Sequence, residues 1–99
     1  MIAVRRRKEL REALAALEHD RWSRWMKYQL MCGTFNADGS WTMPAALVNR
    51  WTRQMAATYA TLTEREQASD LAEADRTLGA IDEHLLRCIV EYRRKTSGE

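Results

Sequence analysis

Apolar residues recur at three- and four-residue steps in three stretches of the chain, and each such pattern marks one face of an α-helix. In the first, Leu10, Leu14, Leu17, Trp25 and Tyr28 form a stripe that Arg21 interrupts and Trp22 and Met26 widen. It predicts a helix from about residue 3 to about residue 31. In the second, Leu47, Val48, Trp51, Met55 and Ala56 follow Pro44. Proline suits a first helical turn, where its missing N–H would find no partner anyway, so a helix is predicted from Pro44 to about residue 58. The third stripe is the longest: Leu71, Ala74, Leu78, Ile81, Leu85, Cys88 and Tyr92. Ahead of it, Thr63 and Glu66 have the spacing of a capping box, in which each side chain satisfies a backbone N–H at the helix start. A turn-like segment over residues 59–62 therefore leads into a helix from residue 64 to about residue 94.

The periodicity breaks between residues 32 and 43. Asn36-Ala37-Asp38-Gly39-Ser40 has turn chemistry, because Asn and Asp bond their own backbone and Gly accepts positive φ. Phe35 and Trp41 flank it, either as the ends of a short hairpin or as aromatic plugs under a loop. A loop is the preferred reading, since a lone hairpin is marginally stable. Gly79, inside the third helix, costs about 1 kcal/mol relative to Ala and suggests a close helix crossing or a kink. The expected fold is a small all-α domain over residues 1–95, with two long helices, a middle helix and a loop or hairpin-like connection. Residues 96–99 are expected to be a disordered tail.

The third stripe has two edges, Leu71, Leu78, Leu85 and Tyr92 on one side and Ala74, Ile81 and Cys88 on the other. Leu86 and Ile89 widen it past Leu85, beyond what one neighbouring helix should cover. Leu85, Ile89 and Tyr92 are therefore the expected interface of a homodimer or higher homo-oligomer, with two-fold dimers the commonest solution. The competing arrangement packs the first helix antiparallel along the whole stripe.

Composition narrows the class without naming a reaction. Ninety-nine residues allow one domain, and 45% hydrophobic with 30% charged residues is ordinary for a folded protein. A net charge of +2 does not by itself support nucleic-acid binding. The charges are segregated. Residues 1–30 hold eight bases against four acids, and residues 63–83 hold seven acids against Arg65 and Arg76, so these segments could attract one another within or between subunits. The basic run Arg5-Arg6-Arg7-Lys8 opposes the helix dipole; it is read as a frayed, solvated start or as an arm contacting an anion or partner. No apolar stretch has signal-peptide or membrane-spanning length. Cys32 and Cys88 lack metal-ligand spacing and read as reduced, apolar-packed thiols of a cytoplasmic protein.

The densest polar cluster is His19-Asp20-Arg21-Trp22. His19 and Trp22 are neighbours on one helix face and could bond and stack a flat ligand, or be satisfied core residues. The only other histidine is His84 and no nucleophile is evident, so no catalytic residue, metal or cofactor is assigned. Asp70, Glu73 and Asp75 read as a solvated face. Trp22 or Trp41 beside a polar cleft could serve as a stacking platform.

Two of these motifs resemble those of the ryanodine-receptor-type (RyR) domain, a small helical module of animal calcium channels that also occurs in bacteria and phages. One is His-acid-x-Trp, here His19-Asp20-Arg21-Trp22. The other is Tyr-x-x-Leu-Thr-Glu, here Tyr59-Ala60-Thr61-Leu62-Thr63-Glu64, followed by Asp70, Ala74 and Thr77-Leu78. The similarity spans about residues 13–81. The chain departs from the pattern at Thr58, where the family has Pro, and in the segment Trp41-Thr42-Met43-Pro44. The resemblance implies a non-enzymatic module that binds a nucleotide-derived or other anionic small molecule, as a phage or bacterial defence-related sensor or sequestering protein. It places His19, Trp22, Tyr59 and Asp70 at the ligand. The alternatives are an oligomeric protein-interaction adaptor with no ligand and a weak nucleic-acid binder using Arg5–Lys8, Arg93 and Arg94. A membrane partner is not expected.

Overall fold

The computed structural model describes residues 4–98. Its elements in order are α1 (Val4–Cys32), β1 (Thr34–Phe35), β2 (Trp41–Thr42), α2 (Ala45–Ala56), a 3-10 turn (Tyr59–Thr61) and α3 (Glu64–Thr96). The fold is all-α apart from the short β1–β2 ribbon. The chain divides into two compact units, Arg21–Leu71 and Met1–Asp20 with Ala72–Glu99.

In the Arg21–Leu71 unit, α1 ends where the chain must turn back on itself. The Trp41 indole N–H donates to the Leu30 carbonyl at 3.0 Å, one of the last-turn acceptors that a helix leaves without an internal partner. The indole then occupies the space beside Gly33. A Cβ on Gly33 would stand 2.2 Å from Trp41 Cε2, so only glycine permits this approach. β1 and β2 pair antiparallel, Thr34 with Thr42 and Phe35 with Trp41. Gly39, at φ 87°, lets the turn close, with its N–H on Asn36 O at 3.0 Å and the Asn36 N–H on Ser40 O at 2.8 Å. Asp38 accepts from the Ser40 hydroxyl and N–H at 2.6 and 2.9 Å, which holds its carboxyl below the usual range. The hairpin thus replaces the expected loop. The marginal stability of a lone ribbon does not apply, because Trp41 ties this one to the end of α1.

Pro44 is the N-cap of α2 rather than part of its first turn. Its carbonyl accepts the Leu47 and Val48 N–H groups at 3.0 and 3.1 Å. Trp51 meets Trp25 edge-on at 5.2 Å, and Trp25 tilts against Tyr28 at 5.7 Å. These contacts, with the Arg50 guanidinium donating to the Tyr28 hydroxyl at 3.1 Å, hold α2 to the second half of α1. The capping box at the start of α3 is present: Glu66 N–H on Thr63 Oγ1 at 3.2 Å and Thr63 N–H on Glu66 Oε1 at 3.0 Å. Gln67 reaches back to the Tyr59 carbonyl at 3.0 Å and pins the 3-10 turn to α3.

In the other unit, the half-buried positions of α1 are Arg6, Glu9, Leu10, Leu14 and Leu17; those of α3 are Glu73, Thr77, Ala80, Ile81, Cys88 and Glu91, around buried His84. The covered face of α3 is therefore not the stripe read from the sequence. It keeps Ile81 and Cys88 but leaves Leu71, Leu78, Leu85 and Tyr92 exposed. His84, 5% exposed, is the single buried residue among those described, and no apolar side chain among them is buried. In the Arg21–Leu71 unit, Trp22 and Trp25 are also exposed. The start of α1 is held rather than frayed, since Arg5 and Arg6 both bond Glu91 near the end of α3. α3 continues through Thr96, one residue into the expected tail. Ser97 N–H bonds Arg93 O at 3.0 Å and Gly98 takes φ 79°, a left-handed helix stop. No atom lies within 4 Å of a Cβ placed on Gly79 and α3 runs unbroken past it, so neither a close crossing nor a break occurs there. Residues 3 and 99, where two expected boundaries fall, lie outside the described residues.

Candidate functional site

The four residues assigned to a ligand are all exposed. His19 stands on α1 in one unit. Trp22 on α1, Tyr59 in the 3-10 turn and Asp70 on α3 belong to the other. Trp22 is 58% and Tyr59 49% exposed, so both rings offer a face to solvent. Tyr59 contributes its carbonyl to Gln67, and Asp70 makes no ion pair among the described residues; Tyr59 and Asp70 do not bond each other.

Within the Arg21–Leu71 unit, Glu66 is a firmly held carboxylate. It accepts from Arg53 Nη2 at 2.7 Å while its other oxygen serves the capping box. The Arg53 hydrogen bond first, then the Thr63 N–H, lower its pKa to about 2 from an ordinary 4.5. Because the folded value is depressed, the stabilising contribution is present above 4.5 and is lost as pH falls from there through about 2. Near neutral pH the wild type is therefore expected to melt above the Glu66→Gln variant, with the gap closing as acid approaches pH 2. A gap independent of pH in thermal melts would refute the assignment.

At the far end of α3, Glu91 gathers three cations. Arg6 donates to it through Nε at 2.6 Å and also through Nη2. Arg5 Nη2 donates at 3.0 Å, and Lys95 Nζ lies at 3.5 Å. These neighbours, the Arg6 hydrogen bond foremost, hold the Glu91 carboxyl below its usual range, and the hydrogen bond to Glu91 raises Arg6 in return. Arg6 also bonds Glu9 at 2.9 Å. The clamp borders an open groove of about 610 Å³. Arg87 and Arg94 complete its basic rim, and Leu86 and Val90 supply its apolar side. Arg87 is paired with Glu83 at 2.6 Å, whereas Arg94 has no ion-pair partner among the described residues.

The feature that composition and motif reading located only in part is the apolar surface of α3. Leu85 and Ile89 were on the expected interface and are exposed; so are Leu86, at 60%, and Val90. Val90 was missed because it lies off the heptad stripe. The adjacent pairs Leu85-Leu86 and Ile89-Val90, one turn apart, were the available signal.

Cys88 Sγ lies 3.8 Å from His84 Nε2, and both cysteines are free and half-buried. Among the described residues no cluster of three His, Cys, Asp or Glu side chains could hold a metal ion, and no helix is long and apolar enough to cross a membrane. No family model, no curated protein and no solved structure matches the chain.

Proposed function

We propose that this protein is a non-enzymatic helical module that acts by association, with α3 as its contact surface and a second copy of itself as partner. One observation carries the reading: no apolar side chain is buried among the described residues, while Leu85, Leu86, Ile89 and Val90 stand exposed together on α3. Burying apolar side chains is the dominant favourable term in folding and association, and a contiguous exposed patch on a small protein marks an interaction surface. Surfaces of this kind on α3 could be shared with a different protein in an adaptor role.

A second reading is that the module binds a nucleotide-derived or other anionic small molecule, as its resemblance to RyR-type domains implies. The exposed rings of Trp22 and Tyr59 favour it, because open aromatic faces can stack a base. Native mass spectrometry of freshly purified protein separates the two. Dimers or larger species without added mass support association. A retained small molecule, lost on Trp22→Ala, supports the ligand reading. A ligand-free monomer at high micromolar concentration refutes the first.

A further inference from the structure

We propose that two copies pair through α3 in antiparallel fashion, about a two-fold axis passing between Arg87 and Cys88. This rests on the association reading above and adds to it a direction, a register and a set of contacts. Four exposed apolar residues of α3 are placed symmetrically about the middle of the segment from Asp82 to Arg93. Leu85 and Leu86 lie as far before the midpoint as Val90 and Ile89 lie after it, and all four are exposed. Asp82 and Arg93 occupy mirrored positions further out, with opposite charge. The mirrored pair His84 and Glu91 falls on the covered face and does not enter the contact.

A helix advances about 100° per residue. Asp82 and Arg93 are therefore separated by about three full turns and stand on nearly the same line as Ile89, with Leu85 and Leu86 on either side of it. A two-fold axis at the midpoint sets Leu85 against Ile89 of the second copy and Leu86 against its Val90. It sets Asp82 against Arg93 of the second copy, and the same pair forms again at the other end. Neither Asp82 nor Arg93 has an ion-pair partner within the subunit among the described residues, so both charges remain available. A parallel pair would instead place Asp82 against Asp82 and Arg93 against Arg93, like charges that oppose association. A two-fold contact of this kind is self-complementary and closed, so it yields a dimer and not a filament.

Charge exchange tests the arrangement in the full chain. Asp82→Arg alone places two arginines together at both ends of the dimer, and Arg93→Asp alone places two aspartates there. Each variant is expected to weaken the homodimer roughly tenfold in sedimentation equilibrium at low salt. An equimolar mixture restores opposite charges at both ends and is expected to form a heterodimer with wild-type affinity. A wild-type dimer whose affinity neither substitution changes, or a mixture no tighter than the single variants, overturns the antiparallel register but leaves association standing. A wild-type monomer overturns the association reading itself. A spin label on Ser97→Cys, in a Cys32→Ser, Cys88→Ser background, gives the direction without altering the contact. Two labels roughly 30 Å apart support the antiparallel pair, and labels about 10 Å apart overturn it.

Discussion

Replacing Gly33 with alanine is expected to destabilise the fold by about 2–3 kcal/mol, the upper range for forcing an extra methyl group into occupied space. The new Cβ would meet the Trp41 ring at 2.2–2.4 Å on three of its atoms. The ring cannot step aside cheaply. Its N–H satisfies the Leu30 carbonyl at the end of α1, and its backbone pairs with Phe35 in the hairpin. Moving the indole would strand that carbonyl or unzip the ribbon. The Gly33→Ala variant should show a lower denaturation midpoint with an unchanged urea slope, since the surface exposed on unfolding stays the same. Trp41→Ala should also destabilise, by removal of the anchor, but Gly33→Ala added to it should cost little more. Strict additivity of the two substitutions would show that the indole and Gly33 do not compete for the same space.

The Leu85→Glu, Ile89→Glu double variant is expected to abolish self-association while leaving a folded monomer. Both side chains are exposed in the subunit, so their replacement removes little from the subunit itself. In the dimer they would be buried twice, once in each copy. At roughly 1.5–3 kcal/mol for each fully buried Leu or Ile, four such residues contribute at most about 6–12 kcal/mol, a range that spans the roughly 8 kcal/mol of a micromolar complex, and unpaired carboxylates would then oppose contact. Sedimentation velocity at high micromolar concentration should give a monomer with wild-type helicity by circular dichroism. Loss of helicity would instead show that Leu85 and Ile89 support the subunit fold, and an intact dimer would move the interface elsewhere.

Local structure followed from short-range patterns. The capping box at Thr63 and Glu66 specified the start of α3, because its reciprocal hydrogen bonds are closed within four residues. The turn at residues 36–40 was legible for the same reason, since the Asp38 and Gly39 chemistry is complete inside it. The three helices followed from apolar steps that span many turns. Of the candidate interface, Leu85, Ile89 and Tyr92 were legible in the width of the α3 stripe. Trp22 and Tyr59 were legible only as aromatic residues in motifs, and their exposure was not.

Tertiary structure decided what depends on partners far away in sequence. Whether residues 32–43 form a loop or a ribbon turned on Trp41 reaching the Leu30 carbonyl, a contact no local propensity encodes. The basic start of α1 is held by Glu91, more than eighty positions away, so its own unfavourable dipole gave the wrong expectation of fraying. Two neighbouring lines run along α3, one through Leu78 and Leu85 and the other through Thr77 and His84. Apolar spacing favoured the first, yet the second is covered within the subunit. Periodicity shows that a helix has an apolar side, but burial is set by the surface that arrives against it, and only the folded chain brings that surface into place.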